Sequence, residues 1–450
     1  MIKTSAIFLF LNYCLGKKVD MSMVVAKIDW RQLYTFASRQ AVLGFCFDGI
    51  ERLTKEFSEE LKQNPMGRDL LMTWMAAAQQ IRRQNMKVNA VAGKLYSMLR
   101  EDGLRCCILK GQGNALMYPN AYSRNPGDID VWVNASREQI TEYAKKHFKL
   151  GDDIRYQHIE TSVDGVPVEL HFFPCTMNNP IYNARLQKWF KRNADLQCSN
   201  VVSLPDGIGK IAIPTTAFNV IYQLTHLYHH FFDEGIGMRQ IIDYYYVVCD
   251  FYKVYQKSSK ITPSLFTIKE GSPFSPSPSS SGSGDVTAPS RCSEPLRSKD
   301  GGPSKASPNY AGWDRLSIEG DNSAGSTTAV TSSASTALVV VQRELKYLGL
   351  WKFAGAVMYV LHEVLGLAED KMIVPVDEKR GKLLLAEILD GGNFGRHFTK
   401  YAGFTHQSMG KKYFLKIWRN MHFVRYYPAE ALCEPLFRTW HFFWRLKYKK

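Results

Sequence analysis

Residues 127–133 read GDIDVWV. Two carboxylates one residue apart lead into β-branched and aromatic residues, the composition of a buried strand. Alternate residues of a strand share a face and rise about 3.3 Å each, so Asp128 and Asp130 set their side chains roughly 6 to 7 Å apart at the base and able to converge on one point. Like charges held that way repel unless a cation lies between them, and hard oxygen donors suit Mg²⁺ or Mn²⁺. By itself D-x-D is weak, because ordinary Asp usage gives roughly one chance copy in a chain of this length. Its bland reading is a strand end with its acids in solvent. The surroundings decide what it means.

Upstream, CCILK (106–110) reads as a short buried strand, with Cys106 and Cys107 on opposite faces. GQGNALMY (111–118) reads as a turn into a brief helix, where free backbone N–H groups and the helix dipole attract phosphate. SRNPG (123–127) is the loop that delivers the chain into the strand. Downstream, Ser136 with Gln139 forms a capping-box signature for a helix to about Phe148. HIETSVDG and VPVELHFF then pair as a hairpin, turned by Asp164 and Gly165. In its second strand Glu169 alternates with the inward-looking Val168 and Leu170, as a third carboxylate should if it faces the same site. A half-buried acid needs a partner, and a shared metal supplies one.

Elsewhere helical periodicity dominates. From Asp69 to Arg100 apolar residues recur at Leu71, Trp74, Met75, Ala78, Ile81, Val88, Ala92, Leu95 and Leu99, and shorter helical patterns run from about Trp30 to Lys62. Helical pattern returns from Thr216 to about Tyr255. Fifteen of the twenty residues 271–290 are Ser, Pro or Gly, a composition too poor in apolar surface to offset the entropy of ordering. The fold class expected is α+β, a small mixed sheet with flanking helices embedded between helical regions. The expected boundaries are 24–100 for the N-terminal helical region, 101–205 for the α+β core and 206–256 for a further helical region. A disordered insertion over 257–336 and a C-terminal helical region over 337–450 complete the chain.

The chain has 450 residues and 45% hydrophobic content, enough for two or three compact units. Its 57 Lys and Arg against 42 Asp and Glu leave a formal charge of +15, which suits a polyanionic partner: nucleotide, nucleic acid or anionic membrane. Nine cysteines without a C-x-x-C pair indicate neither a zinc site nor a disulfide framework, so a reducing, cytoplasmic setting is expected. Residues 1–23 carry Lys3, a short apolar run and Cys14, which together outline a leader. Bulky Tyr13 poorly suits a cleavage site, and Met21 and Met23 follow, so this stretch reads as a leader or a mis-assigned start. No other stretch offers the roughly 18 apolar residues of a membrane span.

The succession LKG(Q), helix, loop with Arg124, GDIDVWV and VELHF is similar to the nucleotidyltransferase superfamily that includes DNA polymerase β and kanamycin nucleotidyltransferase. More narrowly, YPNAYSRNPGDIDVWV with GIGMRQIIDYYYVV (235–248) and LLLAEILDGGNFG (383–395) resembles a bacterial family of uncharacterised nucleotidyltransferase-like proteins. That likeness spans about residues 24–256 and 337–445. It implies that Asp128 and Asp130 bind both divalent ions and that Glu169 holds the one activating the attacking hydroxyl. It also implies an NTP donor bound at the Gly111 turn, with Lys110 and Arg124 as phosphate clamps. Gln112 departs from the pattern: the residue after the glycine is usually Ser, which puts the donor's identity, and triphosphate binding itself, in question.

His226, His229 and His230 have helical zinc-ligand spacing, but with no H-E-x-x-H and no nearby Cys they read as core or cleft-lining histidines. Arg239 and Asp243, four apart, are within reach of a salt bridge, while the resemblance implies that Arg239 faces the nucleotide cleft. GGNFG (391–395) lacks a preceding buried strand and reads as a helix cap with close backbone passage. The basic, aromatic end FRTWHFFWRLKYKK reads as a packed terminal helix with a solvated end. The expected function is metal-dependent transfer of a nucleoside monophosphate from an NTP to a hydroxyl of an unidentified acceptor. The alternatives are an inactive binding or regulatory module on the same fold and, less favoured, a basic nucleic-acid-binding protein.

Overall fold

The computed structural model describes residues 2–150, 155–258, 334–398 and 409–448. The insertion expected over 257–336 lies, apart from its ends, outside the described residues. Helices α1 (Ile2–Cys14), α2 (Ser22–Val25), α3 (Trp30–Arg39), α4 (Leu43–Glu56), α5 (Ser58–Gln63) and α6 (Arg68–Glu101) come first. The apolar stripe of α6 buries Trp74, Ala78, Ile81, Val88, Ala92, Leu95 and Leu99, whereas Leu71 and Met75 of the predicted stripe stay exposed. Helix α1 packs on α4, with Phe10, Leu11 and Tyr13 buried.

The mixed part follows as β1 (Cys106–Leu109), α7 (Gly111–Ala115), β2 (Ile129–Val133), α8 (Arg137–His147), β3 (His158–Val163) and β4 (Val166–His171). The predicted capping box opens α8: the Ser136 hydroxyl accepts from the Gln139 N–H, and the Gln139 side chain accepts from the Ser136 N–H. Asp164 and Gly165, both at positive φ (50° and 75°), make the hairpin turn whose twist matches the strands. Strand order is β1-β2-β4-β3, antiparallel at both edges and parallel between β2 and β4. The class is α+β, as expected.

The pleat sends alternate residues to two different cores. Cys106, Ile108, Ile129, Val131, Val133, Val168 and Leu170 pack under α6 and α8 with Val88, Leu95, Leu99, Ile140 and Ala144. Cys107, Leu109 and Trp132 face the other way, into a large helical core. There the Trp132 ring stacks on Phe218 and meets Phe190 edge-on. The two adjacent cysteines do point to opposite faces, and among the described residues no disulfide forms.

One helix and one hairpin were not anticipated. Helix α9 (Pro180–Ser199) starts at Asn179, whose side chain accepts from the N–H groups of Ile181 and Tyr182, with Pro180 at its first position. A hairpin of β5 (Val201–Ser203) and β6 (Lys210–Ala212) then places Ile211 and Ala212 in the core beneath α6. The helical pattern expected unbroken from Thr216 is two helices, α10 (Thr216–Asp233) and α11 (Met238–Ser258). They break where backbone must pass closely: a Cβ on Gly237 would lie 2.7 Å from the Cα of Asn393, in GGNFG. The glycines of that segment serve packing, as the sequence suggested.

The rest is α12 (Ala334–Tyr347), α13 (Trp351–Glu363), α14 (Glu378–Gly391), α15 (Met409–Met421), α16 (Pro428–Ala431) and α17 (Glu434–Tyr448). Among the described residues no helix is long and apolar enough to cross a membrane.

Candidate active site

The same alternation that buries Val131 beneath α6 turns Asp130 to the opposite face, and the parallel register sets it opposite Glu169. Asp128 lies just before β2, at the solvent edge of that face. One oxygen from each of Asp128, Asp130 and Glu169 falls within 4.8 Å of the others. Three carboxylates on so small a span match the all-oxygen donor set and short bonds that Mg²⁺ requires.

Two cations already face them. Lys110 Nζ is 3.0 Å from Asp130 Oδ1, and His171 Nε2 lies 3.0 Å from Asp130 Oδ1 and 3.1 Å from Glu169 Oε2. Burial alone would neutralise His171, but its hydrogen bonds to Asp130 and Glu169 outweigh that and push it up to about 9, so it is an imidazolium at neutral pH. Burial likewise opposes ionisation of Asp130, yet Lys110 and the His171 hydrogen bond hold its carboxyl well below the usual range. Asp128 is raised to about 6, first by the charge of Asp130 and then by desolvation. The carboxylate with unmet demand for a cation is therefore Asp128, on the side from which an ion would arrive.

The glycine turn lies where the acids need it. Lys110 and Gly111 both take positive φ (51° and 32°), and a Cβ on Gly111 would sit 3.8 Å from the carbonyl oxygen of Asp128. His226, on α10, backs the Lys110 ammonium at 3.3 Å. Its burial and that ammonium keep the imidazole neutral.

Gln112, beside the donor turn, and Arg124, expected as a phosphate clamp, each have a buried partner. Gln112 points into the body and donates its amide to Asn89 of α6. Arg124 makes a two-pronged ion pair with Asp243 of α11, Nε to Oδ1 and Nη2 to Oδ2, each at 2.8 Å. Tyr118 adds a hydroxyl to the same carboxylate at 2.7 Å. Asp243 is thus paired with Arg124, not with Arg239 as its helical spacing suggested. Arg239 instead donates to the carbonyl of Asn125 at 3.1 Å and lies over the Phe394 ring. A Cβ on Gly127 would be 3.9 Å from its Nη1, so this guanidinium adjoins the loop leading to Asp128.

Sequence reasoning missed two histidines. His171 shares the face of Glu169 because it stands two residues further along β4, and the E-x-H spacing carried that information. His158, on β3, is the antiparallel partner of His171, a relation only the hairpin register reveals. Burial, reinforced by the charge of His171, lowers His158 to about 4. Among the described residues, the groups close enough to share an ion are Asp128 with Asp130 and Glu169, and His158 with Glu169 and His171. The triplet His226, His229 and His230 is not one of them.

A family model described as an uncharacterised nucleotidyltransferase matches residues 26–254. No curated protein and no solved structure matches the chain.

Proposed function

This chain belongs to the family of uncharacterised nucleotidyltransferases, and we propose that it moves a nucleoside monophosphate from an NTP to a hydroxyl of an acceptor, with Mg²⁺ or Mn²⁺ held by Asp128, Asp130 and Glu169. The observation that carries this reading is the convergence of three acids, just before β2, within it and on β4, beside a positive-φ glycine turn. Divalent ions bound there supply Lewis acidity, acidifying the acceptor hydroxyl and neutralising the departing pyrophosphate. Asp130, ionised and fixed by its buried surroundings, is the charged anchor of the site in this reading, and Asp128 completes it as it sheds its proton. Lys110 holds a buried positive charge at the turn, where a triphosphate's oxygens can reach it. Arg239, beside the Asn125–Gly127 loop, is in this reading the phosphate-facing arginine, while Arg124 is held by Asp243.

A second reading, a nucleotide-free module on the same fold, has one observation in its favour: Lys110 and His171 already satisfy Asp130 without an ion. Calorimetry with each of the four ribonucleoside triphosphates separates the two. The transferase binds at least one of them only with Mg²⁺ or Mn²⁺, and Asp130→Asn weakens that binding at least tenfold. Absence of metal-dependent binding for all four rejects the transferase. Radiolabelled triphosphate with a cell extract then reports the acceptor.

A further inference from the structure

On the face that carries the acids, β3 and β4 place His158, Glu169 and His171 side by side: His158 opposite His171 across the hairpin, and Glu169 two residues before His171. His158 Nδ1 is 3.3 Å from Glu169 Oε2, and His171 Nε2 is 3.1 Å from the same oxygen. The two rings stand 5.0 Å apart, centre to centre. A tetrahedral ion with bonds of about 2.0–2.1 Å needs ligand atoms about 3.3 Å apart. Both measured edges match that span.

His158 supplies an independent sign. Its side chain is 11% exposed and that of His171 is 3% exposed, yet neither ring nitrogen of His158 makes a hydrogen bond. Its nearest acceptors are the Glu169 oxygen and, 3.7 Å from Nε2, Glu160 Oε1. Buried imidazoles normally find a partner. Here Nδ1 lies 3.3 Å from the oxygen that its neighbour also approaches.

We propose that His158, Glu169 and His171 form a binding site for a borderline divalent transition ion of the Zn²⁺ or Co²⁺ type, separate from the hard-ion position at Asp128 and Asp130. Two imidazoles and one carboxylate favour such ions over Mg²⁺, which prefers all-oxygen surroundings. The ion displaces the His171 proton that otherwise faces Asp130 and Glu169, and three protein ligands leave the fourth position open to water or a substrate atom. The two sites share only Glu169, so the soft site stands whether or not the chain transfers nucleotides.

The test uses untagged, metal-free, full-length protein titrated with Co²⁺. One equivalent should produce the visible absorption of low-coordinate cobalt. His158→Ala and His158→Gln should each lose it, and Asp128→Asn should keep it, while the same Asp128→Asn protein loses any Mg²⁺-dependent triphosphate binding. No band in the wild type, a band that survives in either folded His158 variant, or loss of the band in folded Asp128→Asn overturns the proposal. X-ray absorption at the zinc edge of the wild-type Zn²⁺ complex needs no variant at all: two imidazoles support the site, and one or none rejects it.

Discussion

Arg124→Met distinguishes a structural arginine from a phosphate clamp by its effect on stability. The pair with Asp243 is almost sealed, with side-chain exposures of 5% and 6%, and both prongs are 2.8 Å long. Removing the guanidinium leaves a buried carboxylate with the Tyr118 hydroxyl at 2.7 Å and neither prong. Breaking a buried pair on one side typically costs about 3–5 kcal/mol, because the stranded charge keeps its desolvation penalty. That is a large share of the roughly 5–15 kcal/mol that holds most domains folded. With a guanidinium slope of about 5 kcal/mol per molar, the unfolding midpoint should fall by about 0.6–1 M. Asp243→Asn is the partner variant, and the double-mutant cycle should show coupling of about 2 kcal/mol or more. Equilibrium unfolding followed by circular dichroism measures all four proteins. An Arg124→Met protein within about 0.5 kcal/mol of wild type, or strictly additive variants, would refute the argument and return Arg124 to the nucleotide.

The imidazolium of His171 makes metal-free stability depend on pH. Its folded pKa of about 9 lies above the free value of about 6.5, so a stabilisation of about 3 kcal/mol is complete below pH 6.5 and disappears as pH rises through 9. Unfolding at pH 6 and pH 10 should therefore differ more in wild type than in His171→Gln; equal differences sink the assignment. Asp128, at about 6, must lose its proton to bind an ion, so Mg²⁺ affinity should fall about tenfold per pH unit below 6 and level off above 7. Calorimetry at pH 5 and pH 8 reads this directly, and a flat response contradicts it. Gly237→Ala forces a methyl to 2.7 Å from the Cα of Asn393. A loss of about 1–3 kcal/mol is expected in thermal melts, and an unchanged melting temperature would show that the loop yields.

Local alternation made much of the sheet legible. GDIDVWV and VPVELHFF each carry their face assignment in their own period of two, so the sequence alone sets Asp130 and Glu169 on one side. The Asp-Gly turn and the Ser136 capping box are likewise written in a few adjacent residues. What escaped depends on distant chain. Asp243 has Arg239 one helical turn away, yet its partner is Arg124, 119 positions distant in sequence. Gln112 stands in the phosphate turn but points down to Asn89, a direction that only the position of α6 determines. His158 needed the hairpin register to meet His171. Helix α9 did announce itself through Asn179 and Pro180, but its mixed Tyr, Lys and Trp surface blurred the stripe that follows.

The parallel alignment of β2 and β4 has a consequence for how this chain can vary over generations. A slip of one residue along β4 would offer Val168 or Leu170 to the acidic side and plunge Glu169 into the oily layer beneath α6. Misalignment thus strands a naked charge and, under the proposed function, would forfeit ion capture at once, so the need to bind an ion would double as a proofreader of strand placement. Single-residue gains or losses inside β4 should be purged.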